Sequence, residues 1–215
     1  STVESTIKNF KKYLHQANKA SIKTDLKFND IKVKPMVGDY VFLLPDELKK
    51  LHDFYVSPFI NGTWKDILQR YLFSCFTGLR ISDIEKISED NFLDDHLVYT
   101  AQKTGKITRQ KLNQTALNLI DLPQVFNGSY SREHINRELK NIAKVCGIRK
   151  RISYHSSRHT FATNFLIQGG QIQNLQKLLN HSKIETTMIY THVVDSLMND
   201  ELRLMDGILK ESSPA

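Results

Sequence analysis

Six polar side chains spread along the chain have the types that phosphoryl chemistry needs: Arg80, Lys103, His155, Arg158, His181 and Tyr190. Two arginines can brace the nonbridging oxygens of a phosphodiester and stabilise its pentavalent transition state, because a planar guanidinium matches phosphate geometry. A tyrosine can attack phosphorus and form a covalent ester. Its ordinary pKa of about 10 calls for a base or a strong cationic field, and a histidine can supply the base. A lysine on a flexible hairpin can protonate the departing sugar oxygen. Such a set needs no metal or other cofactor, since side chains carry the positive charge.

Residues 153–192, SYHSSRHTFATNFLIQGGQIQNLQKLLNHSKIETTMIYTH, hold four of these groups. The first half reads as an amphipathic helix. His155, Arg158 and His159 lie three and four apart and share one face. Phe161, Ala162, Phe165 and Leu166 turn an apolar side to a core. Gly169-Gly170 ends the helix through a left-handed turn. A second helix, Ile172 to Leu179, carries Leu175, Leu178 and Leu179 inward. His181 follows, then a capping box of Ser182 with Glu185 and a third helix leading to Tyr190. His181 and Tyr190 are nine residues apart, so one continuous helix at ~100° per residue would set them on opposite faces. A helix starting after His181 leaves that residue free to turn toward the tyrosine.

The other elements follow from periodicity and breakers. Residues 5–20 read as a helix on the stripe Ile7, Phe10, Leu14 and Ala17. Residues 21–40 form a lysine-rich extended linker. A helix runs from Pro45 through Phe54. Thr63 caps a long helix through Phe76, with Trp64, Ile67, Leu68, Tyr71, Leu72 and Cys75 buried, and Gly78 stops it. Arg80 stands at the next corner, where Ser82 with Glu85 forms a capping box. Arginine beside free helix N–H groups favours an anion, although a lone surface arginine is the plainer reading. Residues 96–113 are the clearest strand signal, a hairpin turning at Thr104-Gly105. Its cations Lys103, Lys106, Arg109 and Lys111 also suit an edge strand protected against aggregation. Short and long helices are expected at 115–120 and 131–146, then a basic run, Arg149, Lys150 and Arg151. A final helix over 195–210 has Met198, Leu202, Met205 and Leu209 as its stripe, and the last four residues read as disordered. The architecture expected is mainly α with one small antiparallel β-sheet.

The composition bounds the function. The 215 residues carry a formal charge of +7 with pI near 9.3. Residues 1–35 alone hold eight lysines against three acids, which suits a polyanion such as DNA or, more plainly, a solvated lysine face. No run of eighteen apolar residues indicates a membrane span. Cys75 and Cys146 read as reduced core thiols of a cytoplasmic protein. The HxxxH spacing of His155 and His159 has Ser156 where a zinc protease needs glutamate, so no metal is expected.

The motifs TGLRISD, KTG in a hairpin, HSSRH, LLNHS and IYTHV stand in the order found in the tyrosine recombinase, or phage integrase, family, which residues ~40–195 resemble. That resemblance implies a catalytic domain over 39–195. It implies the last helix of a truncated core-binding domain plus basic linker over 1–38, and a C-terminal helix and tail over 196–215. It makes Arg80 and Arg158 the phosphate-binding arginines, with His155 paired to Arg158. Lys103 becomes the hairpin lysine, ahead of Lys106, and His181 the later histidine. Tyr190 becomes the nucleophile, joined to the 3′ phosphate as a 5′ hydroxyl is freed. Asp83 orients neighbours of Arg80, and His159 supports the site from behind. Lys106, Arg109, Arg149, Lys150 and Arg151 contact double-stranded DNA. The implied function is integration or excision of a mobile element by a tetramer on DNA, in the cytoplasm at the nucleoid. A catalytically impaired DNA-binding module and a tyrosine-dependent relaxing topoisomerase are the alternatives. Two departures stand out: Asn180 replaces the usual glycine before the histidine, a position asparagine tolerates, and Lys111 stands where a proline often ends the third strand.

Overall fold

A computed structural model of the chain describes residues 2–24, 26, 31, 40–120, 125–126 and 128–201. The chain divides into two compact units, Ser1–Tyr40 and Val41–Ala215. The first contains α1, Thr2–Lys19. Of its expected stripe, Leu14 is buried and Phe10 is exposed. Most of the linker at 21–40 and the residues after 201 lie outside the described residues, and with them Leu202, Met205, Leu209 and the C-terminal tail.

The second unit is organised around α3, Gly62–Thr77. It packs against α2 (Pro45–Tyr55), α5 (Gln114–Leu117), α6 (Arg132–Val145) and α7 (Tyr154–Ile167). A helix with neighbours on several sides is buried beyond one stripe. Phe73, Ser74 and Thr77 are therefore enclosed along with Ile67, Leu68, Tyr71, Leu72 and Cys75. Asn61, not Thr63, is the N-cap, its side chain accepting from the Trp64 N–H. Gly78 ends the helix at φ 73°, in the left-handed region where a Cβ is costly. Cys75 and Cys146 are free thiols.

α4 is one turn, Ile81–Ile84, with Arg80 at its N-cap position and no side-chain cap. The expected capping box fails because Ser82 lies inside this turn. A short 3-10 turn, Glu89–Asn91, leads into β1 (Phe92–Leu93). β1 pairs with β2 (His96–Thr100), and β2 with β3 (Ile107–Lys111), all antiparallel. The strand β1 was not foreseen; two residues give no periodicity to read. Lys111 is the last residue of β3 and pairs with Asp95 at 3.1 Å.

α7 departs from a simple amphipathic helix. Phe161, Phe165 and Leu166 do join Ala162, Leu175, Leu179 and Tyr190 in a small apolar cluster. The side toward α3, however, is polar and buried. Ser156 Oγ lies 2.8 Å from Tyr71 Oη, and Tyr154 Oη lies 2.8 Å from Ser74 Oγ. Thr160 Oγ1 accepts from the Leu43 N–H at 3.0 Å, and Asn164 donates to the Leu43 carbonyl at 2.8 Å. Buried polar groups satisfied in this way fix one packing arrangement rather than several. They therefore fix the height and rotation of α7, and with it His155, Arg158 and His159.

α8 spans Ile172–Leu178 and α9 spans Glu185–Glu201. α9 starts too late for Ser182 to be its N-cap. It also runs through Tyr190 and Asp195 without a break, where two helices had been expected. Among the described residues, no helix is long and apolar enough to cross a membrane.

Candidate active site

The arginines meet where α3 and α8 end, with Arg158 near the start of α7. Arg158 is buried, 4% exposed. Its Nη1 donates to the Gly78 carbonyl at 2.6 Å, and its Nη2 donates to the Leu179 carbonyl. Arg80 Nη2 reaches the same Leu179 carbonyl at 3.4 Å. The two helix ends thus present carbonyls that orient two guanidinium groups side by side. Asp83, buried, lies 4.0 Å from Arg80 Nη1. Its other oxygen accepts from the Gln102 N–H at 2.8 Å, so one carboxylate links Arg80 to the hairpin turn beside Lys103.

The hairpin connection runs over residues 101–106, longer than a tight turn at Thr104-Gly105 alone. The strands stop at Thr100 and resume at Ile107. Ala101 donates to Lys106 O at 2.9 Å and Gly105 donates to Ala101 O at 2.8 Å. Lys103 and Lys106 are both exposed on it.

The charges act on one another across the site. Burial, then Arg158, Arg80 and Lys103, push the His155 pKa below its ordinary value. The same causes in the same order take His181 down to about 4. Burial, then His155 and Arg158, take His159 to about 4. Arg158 itself is lowered to about 10, first by burial and then by Arg80. Arg80 and Arg158, with Lys103 near, outnumber the one buried carboxylate of Asp83 beside them, and that excess of positive charge favours an anion among them. A cleft of about 160 Å³ is lined by Arg80, Ser82, Arg132, His155 and Arg158.

Tyr190 is buried, 3% exposed, on α9. Its hydroxyl lies 3.0 Å from His159 Nδ1. His159 was expected to support the site from behind; its ring lies directly against the phenol. It also meets His155 edge to face, with ring centroids 4.6 Å apart. His181 was expected to turn toward the tyrosine, yet its Nδ1 lies 2.9 Å from Thr187 Oγ1. One turn of α9 separates Thr187 from Tyr190, so the helix holds His181 and the phenol through different side chains.

The remaining basic residues divide. Arg109, Arg149 and Arg151 are exposed. Lys150 is paired with Glu47 at 2.5 Å and lies over the Phe42 ring; it braces α2 more than it offers free charge. Arg132 lines the arginine cleft and was not foreseen. It is held by Glu85 through Nε at 3.1 Å and Nη2 at 2.7 Å, and no motif surrounds it. The Leu179 carbonyl, which anchors both arginines, carries no sequence signal at all. No group of three or more His, Cys, Asp or Glu among the described residues is placed to hold a metal ion.

Residues 122–196 match the phage integrase family. A tyrosine recombinase of Pseudothermotoga lettingae is 33% identical over 178 residues, covering 76% of this chain and 59% of that protein. The chain belongs to the phage integrase family, the tyrosine recombinases. Its fold is similar to the catalytic domain of bacteriophage HP1 integrase, with TM-score 0.56 and 23% identity over 81% of this chain and 98% of that one. It is also similar to XerH recombinase bound to its difH substrate after cleavage, with TM-score 0.65 and 16% identity over 85% of this chain and 59% of that one. The chain spans about half to three-fifths of the length of the first curated relatives it matches.

Proposed function

We propose that this chain is the catalytic part of a site-specific DNA recombinase that cuts and rejoins double-stranded DNA through a 3′-phosphotyrosyl intermediate, in the integration or excision of a mobile element. The observation that carries the reading is the convergence of Arg80 and Arg158 on the Leu179 carbonyl, within the field of Lys103 and beside a buried phenol. Arg80 and Arg158 hold the nonbridging oxygens of the scissile phosphate, with His155 and His181 completing the cradle. The Tyr190 oxygen attacks phosphorus and the bond to the 5′ oxygen breaks. The phenolic proton passes to an imidazole, and Lys103 gives a proton to the leaving 5′ oxygen. The phosphotyrosyl ester keeps the energy of the broken linkage, so a new 5′ hydroxyl reverses the step without ATP. His159, bonded to the phenol, holds it before DNA arrives.

Arg109, Arg149, Arg151 and Lys106 are available to neighbouring phosphates, with Lys150 the weakest of this group. The relatives' greater length is compatible with residues 1–38 being the end of a core-binding domain plus linker; a tetramer on DNA is what the family resemblance implies for the whole protein. The test is a nicked duplex in which cleavage frees a short fragment bearing the 5′ hydroxyl; that fragment diffuses away and the adduct is trapped. A covalent protein–DNA species with Tyr190 intact and none with Tyr190→Phe supports the enzyme. DNA binding without any adduct under either condition supports a binding module instead. Relaxation of supercoiled DNA without strand exchange supports a topoisomerase.

A further inference from the structure

The tripeptide Leu179–Asn180–His181 joins the arginine anchor to the later histidine, and its middle residue reaches out of the turn. Asn180 has φ 51°, in the left-handed region that glycine and asparagine enter most easily. Its side-chain amide donates to Thr108 Oγ1 at 2.9 Å and approaches Tyr99 Oη at 3.5 Å. Tyr99 and Thr108 face each other across β2 and β3. Tyr99 is buried and its pKa is raised to about 12, chiefly by burial, so its hydroxyl stays protonated. One amide therefore grips a cross-strand pair from a turn more than seventy residues away in sequence. The hairpin is also tied toward the site by the Asp83 carboxylate on the Gln102 N–H and by the Gln110 amide on the Thr77 carbonyl, both at 2.8 Å. Those two bonds tie the hairpin to α4 and to the end of α3; the Asn180 amide ties it to the turn that carries the Leu179 carbonyl.

We infer that Asn180 is a positioning residue that fixes the β2–β3 hairpin against the arginine-anchoring turn and so sets where Lys103 stands. The role of Lys103 rests on the proposed function; the mechanical link does not. Asn180→Gly removes the amide while keeping a residue suited to the left-handed turn, and Thr108→Val removes the acceptor. Thr108→Ser keeps the hydroxyl.

Two readouts test this. Hydrogen exchange on the DNA-free protein follows the hairpin amides of Ala101 and Gly105, both bonded within the turn. Asn180→Gly and Thr108→Val should each speed their exchange by about tenfold, the scale of one lost hydrogen bond. Amides of α3 should stay unchanged, and Thr108→Ser should resemble the parent. Cleavage is then measured on the nicked duplex and on the same duplex with sulfur replacing the bridging 5′ oxygen. The sulfur leaves as a thiolate and needs no proton. Both variants should cleave the ordinary duplex about tenfold more slowly, and the sulfur duplex at the parent rate. The double variant should be no slower than either single one.

Unchanged hairpin exchange overturns the proposed link. A defect that persists equally on the sulfur duplex overturns the assignment to Lys103 and places the effect on the phosphate cradle. If the parent protein forms no adduct on either duplex, the recombinase reading fails, and exchange still decides whether Asn180 holds the hairpin.

Discussion

Replacing Arg158 with methionine should abolish cleavage while leaving stability nearly unchanged, and the gap between those outcomes can be worked from the structure. The guanidinium is 4% exposed and its pKa is lowered to about 10 from 12.5. At about 1.4 kcal/mol per tenfold, the DNA-free site disfavours the charge by roughly 3 kcal/mol. Removing it relieves that cost but leaves two carbonyls short of a donor, at about 1–3 kcal/mol each. The Leu179 carbonyl keeps Arg80 at 3.4 Å, so the Gly78 carbonyl carries most of this penalty. The terms nearly cancel, and Tm should move by no more than about 5 °C, given roughly 2–4 °C per kcal/mol for a unit of this size. Catalysis has no such compensation. A transition-state phosphate that loses a buried charge-assisted contact should react about a thousandfold more slowly, or about 4 kcal/mol. Thermal melting and adduct formation on the nicked duplex, run on one preparation, test both halves. Cleavage within tenfold of the parent would refute the phosphate role. A loss of more than about 10 °C would show Arg158 to be chiefly structural and the charge arithmetic to be in error.

Other outcomes follow from the same geometry. Tyr190→Phe should eliminate the adduct and cost only about 1 kcal/mol, one hydrogen bond to His159; a collapsed melting curve would contradict this. His159 and His181 are both lowered to about 4. Unfolded, each takes up a proton below about 6.5, which the folded state refuses until about 4. Stability should therefore be fully present above pH 6.5 and fall as pH drops toward 4. Both rings are partly open to solvent, which reduces the full linkage to about 1–2 kcal/mol each; a flat melting temperature over that window contradicts the burial argument. Inorganic sulfate should raise the melting temperature of the parent more than that of Arg158→Met, since the cleft then contains one fewer cation; equal shifts would place the anion elsewhere. Asn61→Ala should cost about 1 kcal/mol as a lost N-cap, and chemical denaturation checks it.

The helices that position the site were legible because each has a strong local signal. Gly78, Ser131 with its helix 132–145, and the Ile135, Leu139, Ile142, Ala143 stripe all stand where pattern places them. The mostly helical architecture with a small antiparallel sheet was likewise readable. What was not legible depends on tertiary contact. Asn61 rather than Thr63 takes the cap because the helix begins at Gly62, two residues earlier than its apolar stripe, starting at Trp64, suggests. The Ser182–Glu185 box matches a capping sequence, yet the backbone from 181 to 184 stays outside the helix. The polar face of α7 reads as solvent-facing in sequence; it is buried because Tyr71, Ser74 and Leu43 supply hydrogen bonds from elsewhere. At the site, residue types and order pointed to the arginines, histidines, lysine and tyrosine. They could not reveal that Leu179 contributes a carbonyl, that His159 touches the phenol, or that Arg132 lines the cleft.

The most direct measurement is to trap the covalent species on a nicked duplex, digest it, and locate the modification by mass spectrometry. The account predicts a single peptide in which Tyr190 carries a nucleotide through its 3′ phosphate, with a free 5′ hydroxyl on the released strand. A nucleotide on any other residue, or a 5′-phosphate linkage, would contradict it.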